Sequence, residues 1–280
     1  MTLMKTVLIT GCSPGGIGHA LAIEFKQRGL RVFATGRNLE KLGDLEELGV
    51  ECIPLAVDDP MSVAACHATV TAMLDGKGLD YLLNNAGAIF RPATETDLDA
   101  CKTMFGANVF GVIDMCQTFL PELIMAKGKV INIGSVAAHI PLPFMSIYSA
   151  SKAALYAYSE TMRVELAPLG VKVTYVMTGN VKTNNLSSRY HLDMSSPWYP
   201  VNDIFEKEQH KAATTGMHPA EFAKQLADQA TRTHKNTIWV GDGALLCRII
   251  GSLEYYLPFR LWPATSSYVY QMNRISIHSG

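Results

Sequence analysis

Ser135 closes an apolar run, and Tyr148 and Lys152 stand four residues apart at the start of the helical stretch that follows. Residues four apart on a helix lie one above the other on the same face, so the phenol and the ammonium would point into one cleft. An unperturbed tyrosine titrates at about 10, too high for ready proton exchange near neutrality. A neighbouring ammonium favours the phenolate and lowers that value. The pattern is that of an acid–base tyrosine; the other reading is an ordinary surface pair, and the rest of the chain decides between them.

Such a pair needs a rigid frame. Apolar runs at 5–10, 31–35, 50–55, 79–84, 129–134, 171–176 and 236–240 alternate with helical stretches over about 16–28, 39–48, 60–74, 98–125 and 219–234, with the tyrosine helix between the fifth and sixth runs. Strands buried on both faces and separated by helices imply a parallel sheet with right-handed crossovers. The predicted fold is α/β, a three-layer Rossmann-type sandwich with a doubly wound parallel sheet of about seven strands. Residues 1–243 read as the catalytic domain, including an aperiodic segment over 184–216 that suits a substrate loop, and residues 244–280 as an amphipathic, aromatic extension of the same domain.

Composition narrows the classes. With 280 residues, 18% of them charged, 48% apolar and a formal net charge of −1, the chain has no basic footprint for nucleic acid. Cysteines at 12, 52, 66, 101, 116 and 247 show neither CxxC nor Cys/His spacing, so no metal site or disulfide framework is indicated, and they read as reduced thiols of a cytoplasmic protein. The N-terminus reads as a first strand and no signal peptide.

The first strand runs into TGCSPGGIGHA, with Gly11, Gly16 and Gly18 between strand and helix. Glycines let a backbone approach a pyrophosphate, and the following helix offers N–H donors. The second strand ends in Gly36 and Arg37, where an acidic residue would have taken a ribose 2′-hydroxyl; a guanidinium suits a 2′-phosphate, with Ser13 as second donor, so the cofactor reads as NADP(H). Asp58 follows the third strand and suits an adenine amine. Asn85, Ala86 and Gly87 follow the fourth, where the adenosine ribose would lie. Asn108 falls inside a helical stretch, which asparagine disfavours, and implies either a satisfied core amide or a kink that holds a water.

Taken together, TGCSPGGIG, NNAG, Asn108, Ser135 and YSASK resemble the short-chain dehydrogenase/reductase superfamily over residues 5 to about 183. A narrower likeness, in SIYSASKAA, NVFG and the TG turn after the sixth strand, is to the fungal NADPH-dependent 1-acyldihydroxyacetone-phosphate reductases. The resemblance implies that Tyr148 gives a proton to a carbonyl oxygen, Lys152 lowers its pKa and holds the nicotinamide ribose, and Ser135 holds the substrate oxygen. It further implies that Asn108 holds a water that relays protons to Lys152, and that Ile17, Val181 and Thr183 belong to the cofactor site. Two departures stand out: one residue more than usual between Gly11 and Gly16, and Thr178 where proline is more frequent.

His139, Phe144 and the 184–216 segment are candidates for the substrate pocket, with Lys182 or Arg189 as the cation for a phosphate-bearing substrate. The C-terminal stretch places Leu246, Ile249, Ile250, Leu253 and Leu257 on one helical face, too short to span a bilayer, suited to a lipid surface or to a partner subunit. The function so read is NADPH-dependent reduction of a lipophilic ketone. Alternatives are a ketoreductase for polyketide, terpenoid or steroid-like ketones, a non-catalytic NADPH-sensing scaffold, and a membrane-tethering protein with a vestigial reductase fold. The expected setting is cytoplasmic, peripheral on endoplasmic reticulum or lipid droplets, as a homodimer or homotetramer.

Overall fold

The computed structural model describes residues 4–85, 92–183, 190–232, 235–254 and 261–275. Its strands are β1 (Thr6–Ile9), β2 (Arg31–Gly36), β3 (Glu51–Pro54), β4 (Tyr81–Asn84), β5 (Lys129–Ile133), β6 (Lys172–Thr178) and β7 (Thr237–Val240). They form one sheet in the order β3-β2-β1-β4-β5-β6-β7. Every neighbouring pair is parallel. The chain steps from β1 outward through β2 and β3, then returns to build the other half from β4, so the switch point lies between β1 and β4.

The helices are α1 (Ile17–Gln27), α2 (Gly43–Glu47), α3 (Pro60–Leu74), α4 (Leu98–Phe105), α5 (Gly111–Thr118), α6 (Leu120–Ala126), α7 (Ser146–Leu166), α8 (Asn202–Thr214), α9 (Pro219–Arg232), α10 (Ala244–Glu254) and α11 (Leu261–Val269). Alternate strand residues feed two cores. Val7 and Ile9 pack with Leu21 and Phe25 of α1 and Phe222 and Leu226 of α9. Leu8 and Leu82 pack on the opposite face with Val70 of α3, Met115 of α5 and Leu155 of α7. These are the three predicted layers.

Two elements differ from expectation. The single helix foreseen over 98–125 is α4, a π-helical turn at Gly106–Phe110, α5 and α6. The aperiodic 184–216 segment contains α8, which closes over a small third core of Phe144, Leu192, Val201, Phe205 and Tyr270. Only Phe205 and Gln209 of α8 are buried, too few apolar positions to register as a period. Beyond the last strand, α10 exposes Leu245, Leu246, Ile249 and Leu253; Tyr255, Tyr256 and Leu257 lie outside the described residues. Among the described residues no single helix is long and apolar enough to cross a membrane.

Candidate active site

β5 delivers Ser135. The strand ends at Ile133, Gly134 turns it, and the Ser135 hydroxyl accepts from the Ala137 N–H at 3.1 Å, capping a short 3-10 turn. A side chain on Gly134 would begin 1.9 Å from Cζ of Tyr175, a buried residue of β6. The Tyr175 hydroxyl accepts from the Ser135 N–H at 3.3 Å and donates to the Lys152 carbonyl at 3.1 Å. One phenol thus fixes the backbones that carry two site residues. Inside VKVTYV it reads only as a strand aromatic, and no signal in the sequence marks it.

α7 delivers Tyr148 and Lys152 from its first two turns. Lys152 is 1% exposed, and its Nζ donates to the Ile133 carbonyl at 2.8 Å. The same Nζ lies 5.6 Å from the centroid of the Tyr148 ring. Burial pushes the Lys152 ammonium down to about 7. Burial also raises the Tyr148 phenol above its ordinary value, and the hydrogen bond with Ser135 opposes that rise. This corrects the expectation that the ammonium beside Tyr148 lowers its pKa. In the folded chain desolvation governs both groups, favouring the protonated phenol and the neutral amine.

Asn108 sits fully buried in the π-helical turn, the position read as either a satisfied core amide or a kink that holds a water. Its Nδ2 donates to Ser151 Oγ at 3.0 Å, and that hydroxyl donates to the Tyr148 carbonyl at 2.7 Å. The asparagine therefore ties the π-helical turn to the first turn of α7.

The carboxyl ends of β1 and β4 form the cofactor side. Asn85 Nδ2 donates to the Gly11 carbonyl at 3.1 Å, and the Asn85 N–H donates to Thr10 Oγ1 at 2.9 Å, locking the two strand ends together. A Cβ at Gly18 would sit 2.5 Å from the Gly11 carbonyl, so only glycine lets α1 pack this close. α1 begins at Gly16 with no side-chain cap and no acidic residue in its first turn, leaving its N-terminal N–H groups for an anion. The Cys12 N–H donates to the Thr35 carbonyl at 2.8 Å, which brings Ser13 and Arg37, both exposed, to adjacent strand ends. Among the described residues Arg37 has no ion-pair partner. Asp58 is exposed just beyond β3. This cradle and guanidinium fit a phosphorylated dinucleotide.

A cleft of about 380 Å³ joins the two sides, bordered by Ile17, Asn85, Ser135, Tyr148, Lys152, Val181 and Thr183. It also takes Glu208 and Lys211 from α8, Asp242 from the turn after β7, Cys247 from α10 and Tyr270, none of which the sequence singled out. These come from segments far apart in the chain, and only the closing of α8 and α10 over the strand ends unites them.

The substrate candidates need correction. His139 lies edge-on against Tyr156 at 4.7 Å, lowered in pKa by burial, and does not border the cleft. Phe144 stands behind the wall, 6% exposed, in ring contact with Trp198, Phe205 and Tyr270. Lys182 points to a separate hollow of about 460 Å³ with Gly15, Gly16, His19 and His218, over the start of α1. Neighbouring residues of an extended segment face opposite ways, so Val181 and Thr183 border the cleft while Lys182 does not. Ala86, Gly87 and Arg189 lie outside the described residues.

A doubly wound sheet with a glycine cradle at its switch point and a Ser–Tyr–Lys group beside it defines an oxidoreductase of the nicotinamide-dinucleotide type. The family model described as short chain dehydrogenase matches residues 5–192, and the chain belongs to that family. It is 43% identical over 206 residues, 73% of this chain and 69% of the other, to an NADPH-dependent 1-acyldihydroxyacetone phosphate reductase of Schizosaccharomyces pombe. A short-chain dehydrogenase of Talaromyces islandicus is 38% identical over 98% of this chain and 96% of its own. Among solved structures, a short-chain dehydrogenase from Streptomyces avermitilis superposes with a TM-score of 0.79 at 28% identity, covering 97% and 98% of the two chains.

Proposed function

We propose that this chain is an NADPH-dependent carbonyl reductase that converts a lipophilic ketone to its alcohol. The observation that carries the reading is that Ser135, Tyr148 and Lys152 border one cleft together with Ile17 and Asn85 of the dinucleotide cradle. The cofactor is NADP(H), and when bound its nicotinamide supplies the hydride. Tyr148 then gives its proton to the carbonyl oxygen, and Ser135 donates a hydrogen bond where negative charge develops. Lys152, whose pKa burial lowers, receives or returns the replacement proton at Nζ, and Asn108 ties the π-helical turn between α4 and α5 to α7 so that this group keeps its place. A water held by Asn108 is the relay to Lys152 in this reading.

The pombe relative makes an acyldihydroxyacetone phosphate the first substrate to try. One observation favours a second reading, an uncharged polyketide, terpenoid or steroid-like ketone. Among the described residues the cleft has two cationic side chains, Lys152 and Lys211; Lys211 stands 3.7 Å from Glu208, and Asp242 is also on the lining, so these residues offer a phosphate no net positive charge. NADPH oxidation with 1-palmitoyl-dihydroxyacetone phosphate and with a panel of uncharged ketones, each also with Tyr148→Phe, separates the readings. Turnover by the phospholipid precursor alone supports the first, turnover by uncharged ketones alone supports the second, and activity retained in Tyr148→Phe removes both. The exposed apolar face of α10 supports a position at a lipid surface in this reading, and exposed Phe110, Met125 and Val164 support a homo-oligomer.

A further inference from the structure

A second hollow, of about 510 Å³, lies behind the catalytic cleft. Its walls are Pro141, Pro143, Phe144, Trp198, Pro263 and Met272, and among the described residues no charged side chain borders it. Four serines, Ser146, Ser149, Ser266 and Ser267, are its polar border, and the Ser266 hydroxyl donates to the Pro141 carbonyl at 2.7 Å. Both hollows fall within the range of about 300–1,000 Å³ typical of small-molecule sites. A mostly apolar space without a cation is a poor host for a phosphate or a nucleotide; its chemistry suits an alkyl group.

The partition between the hollows is Leu142, which borders both. It sits between two prolines, whose rings fix the backbone on either side. The next residue but one, Phe144, adopts φ 64, a left-handed conformation costly for a bulky side chain. Its ring is held edge-on by Trp198 at 5.9 Å, by Phe205 at 4.8 Å and by Tyr270 at 5.7 Å. Tyr270 itself borders the cleft. The wall is thus a braced strap carrying one flexible aliphatic side chain at the point where the two spaces meet.

We propose that the hollow behind Leu142 is a tail site: the ketone lies at Ser135 and Tyr148, and its alkyl chain passes Leu142 into the proline-walled space. The inference rests on the carbonyl reductase reading for the head of the ligand and adds the tail's place and chemistry.

Straight-chain methyl ketones from butanone to tridecanone test it, reduced by the wild-type chain and by Ala93→Phe and Ser267→Trp, two border positions where added bulk fills the hollow. For the wild type kcat/KM rises with length, by up to about fourfold per methylene, the factor that burial of one CH2 yields. The filled variants lose about tenfold or more with tridecanone and keep butanone turnover. A bromoalkyl methyl ketone, added with NADP+, quenches Trp198 fluorescence, and Trp198→Phe removes the quenched component. Quenching without reduction of any ketone upholds the tail site and removes the reductase reading. Reduction with equal length dependence in all three proteins and no quenching of Trp198 overturns the tail site and leaves that reading intact.

Discussion

The Tyr175 ring fills the space that a side chain at Gly134 would need, with its Cζ 1.9 Å from where that Cβ would begin. Through this close fit its hydroxyl reaches both the Ser135 N–H and the Lys152 carbonyl. Gly134→Ala must push the ring or the strand end aside, and overpacking of this kind costs about 1–3 kcal/mol or more. Tyr175→Phe keeps the ring and leaves two buried backbone groups without this partner, about 1–3 kcal/mol each at most. Thermal unfolding reads the loss of stability in both variants. Turnover by the folded fraction falls further in Gly134→Ala, because there Ser135 itself is displaced.

Tyr148→Phe removes one oxygen from the half-buried ring and with it the proton donor. General acid catalysis contributes typically about 10²–10⁴-fold, so kcat falls by that factor while NADPH affinity stays within about twofold. Single-turnover kinetics with fluorescence titration of NADPH separates the two quantities. A comparable loss of NADPH binding would mean that the phenol serves the cofactor and not the carbonyl.

What the sequence makes legible is whatever depends on local spacing. The Tyr148–Lys152 pair, the glycine turn before α1 and the strand-helix alternation follow from periods of two and of about 3.6 residues, and the structure keeps them. Asn108 marks an irregularity, which is a π-helical turn, because asparagine fits a helix interior poorly. Directions are harder to read. His139 and Lys182 stand close in the chain to Ser135 and Val181 yet turn away from the cleft, because proximity along an irregular segment does not fix where a side chain points. Glu208, Lys211, Cys247 and Tyr270 join the cleft only through tertiary closure, which leaves no local trace.

Burial of Lys152 links stability to pH. Its folded-state pKa is about 7, against an ordinary lysine value of 10.5. Between those values the unfolded chain binds more protons than the folded one, so stability rises with pH across that window; below about 7 the cost of burying the charge is fully present. Lys152→Met has no such group. Chemical denaturation in steps from neutrality to mildly alkaline pH shows the wild type gaining stability relative to the variant, and a constant difference would mean that Lys152 titrates normally in the fold.

Arg37 is exposed beside Ser13. Charge-assisted hydrogen bonds to a 2′-phosphate contribute about 1.5–3 kcal/mol, a factor of about 10–10² in affinity. Arg37→Ala therefore raises KM for NADPH by about that factor and leaves NADH almost unchanged. Parallel titrations with both cofactors check it, and an equal loss for both would place the guanidinium elsewhere on the dinucleotide.

The α10 helix turns Ala244 inward and Cys247 toward the cleft, and leaves Leu245, Leu246, Ile249 and Leu253 exposed. Arg248 stands among them, with no acidic residue before Glu254. An apolar face joined to a cation suits an anionic lipid interface, and the helix is too short to span one. Leu246→Glu with Ile249→Glu puts two carboxylates where acyl chains would lie, on side chains that do not border the cleft. Sedimentation with phosphatidylserine-containing vesicles falls by about tenfold or more in the double variant, while turnover of a water-soluble ketone is preserved. If vesicle binding is unchanged and the variant instead alters the subunit mass in solution, the face belongs to a second copy of the chain.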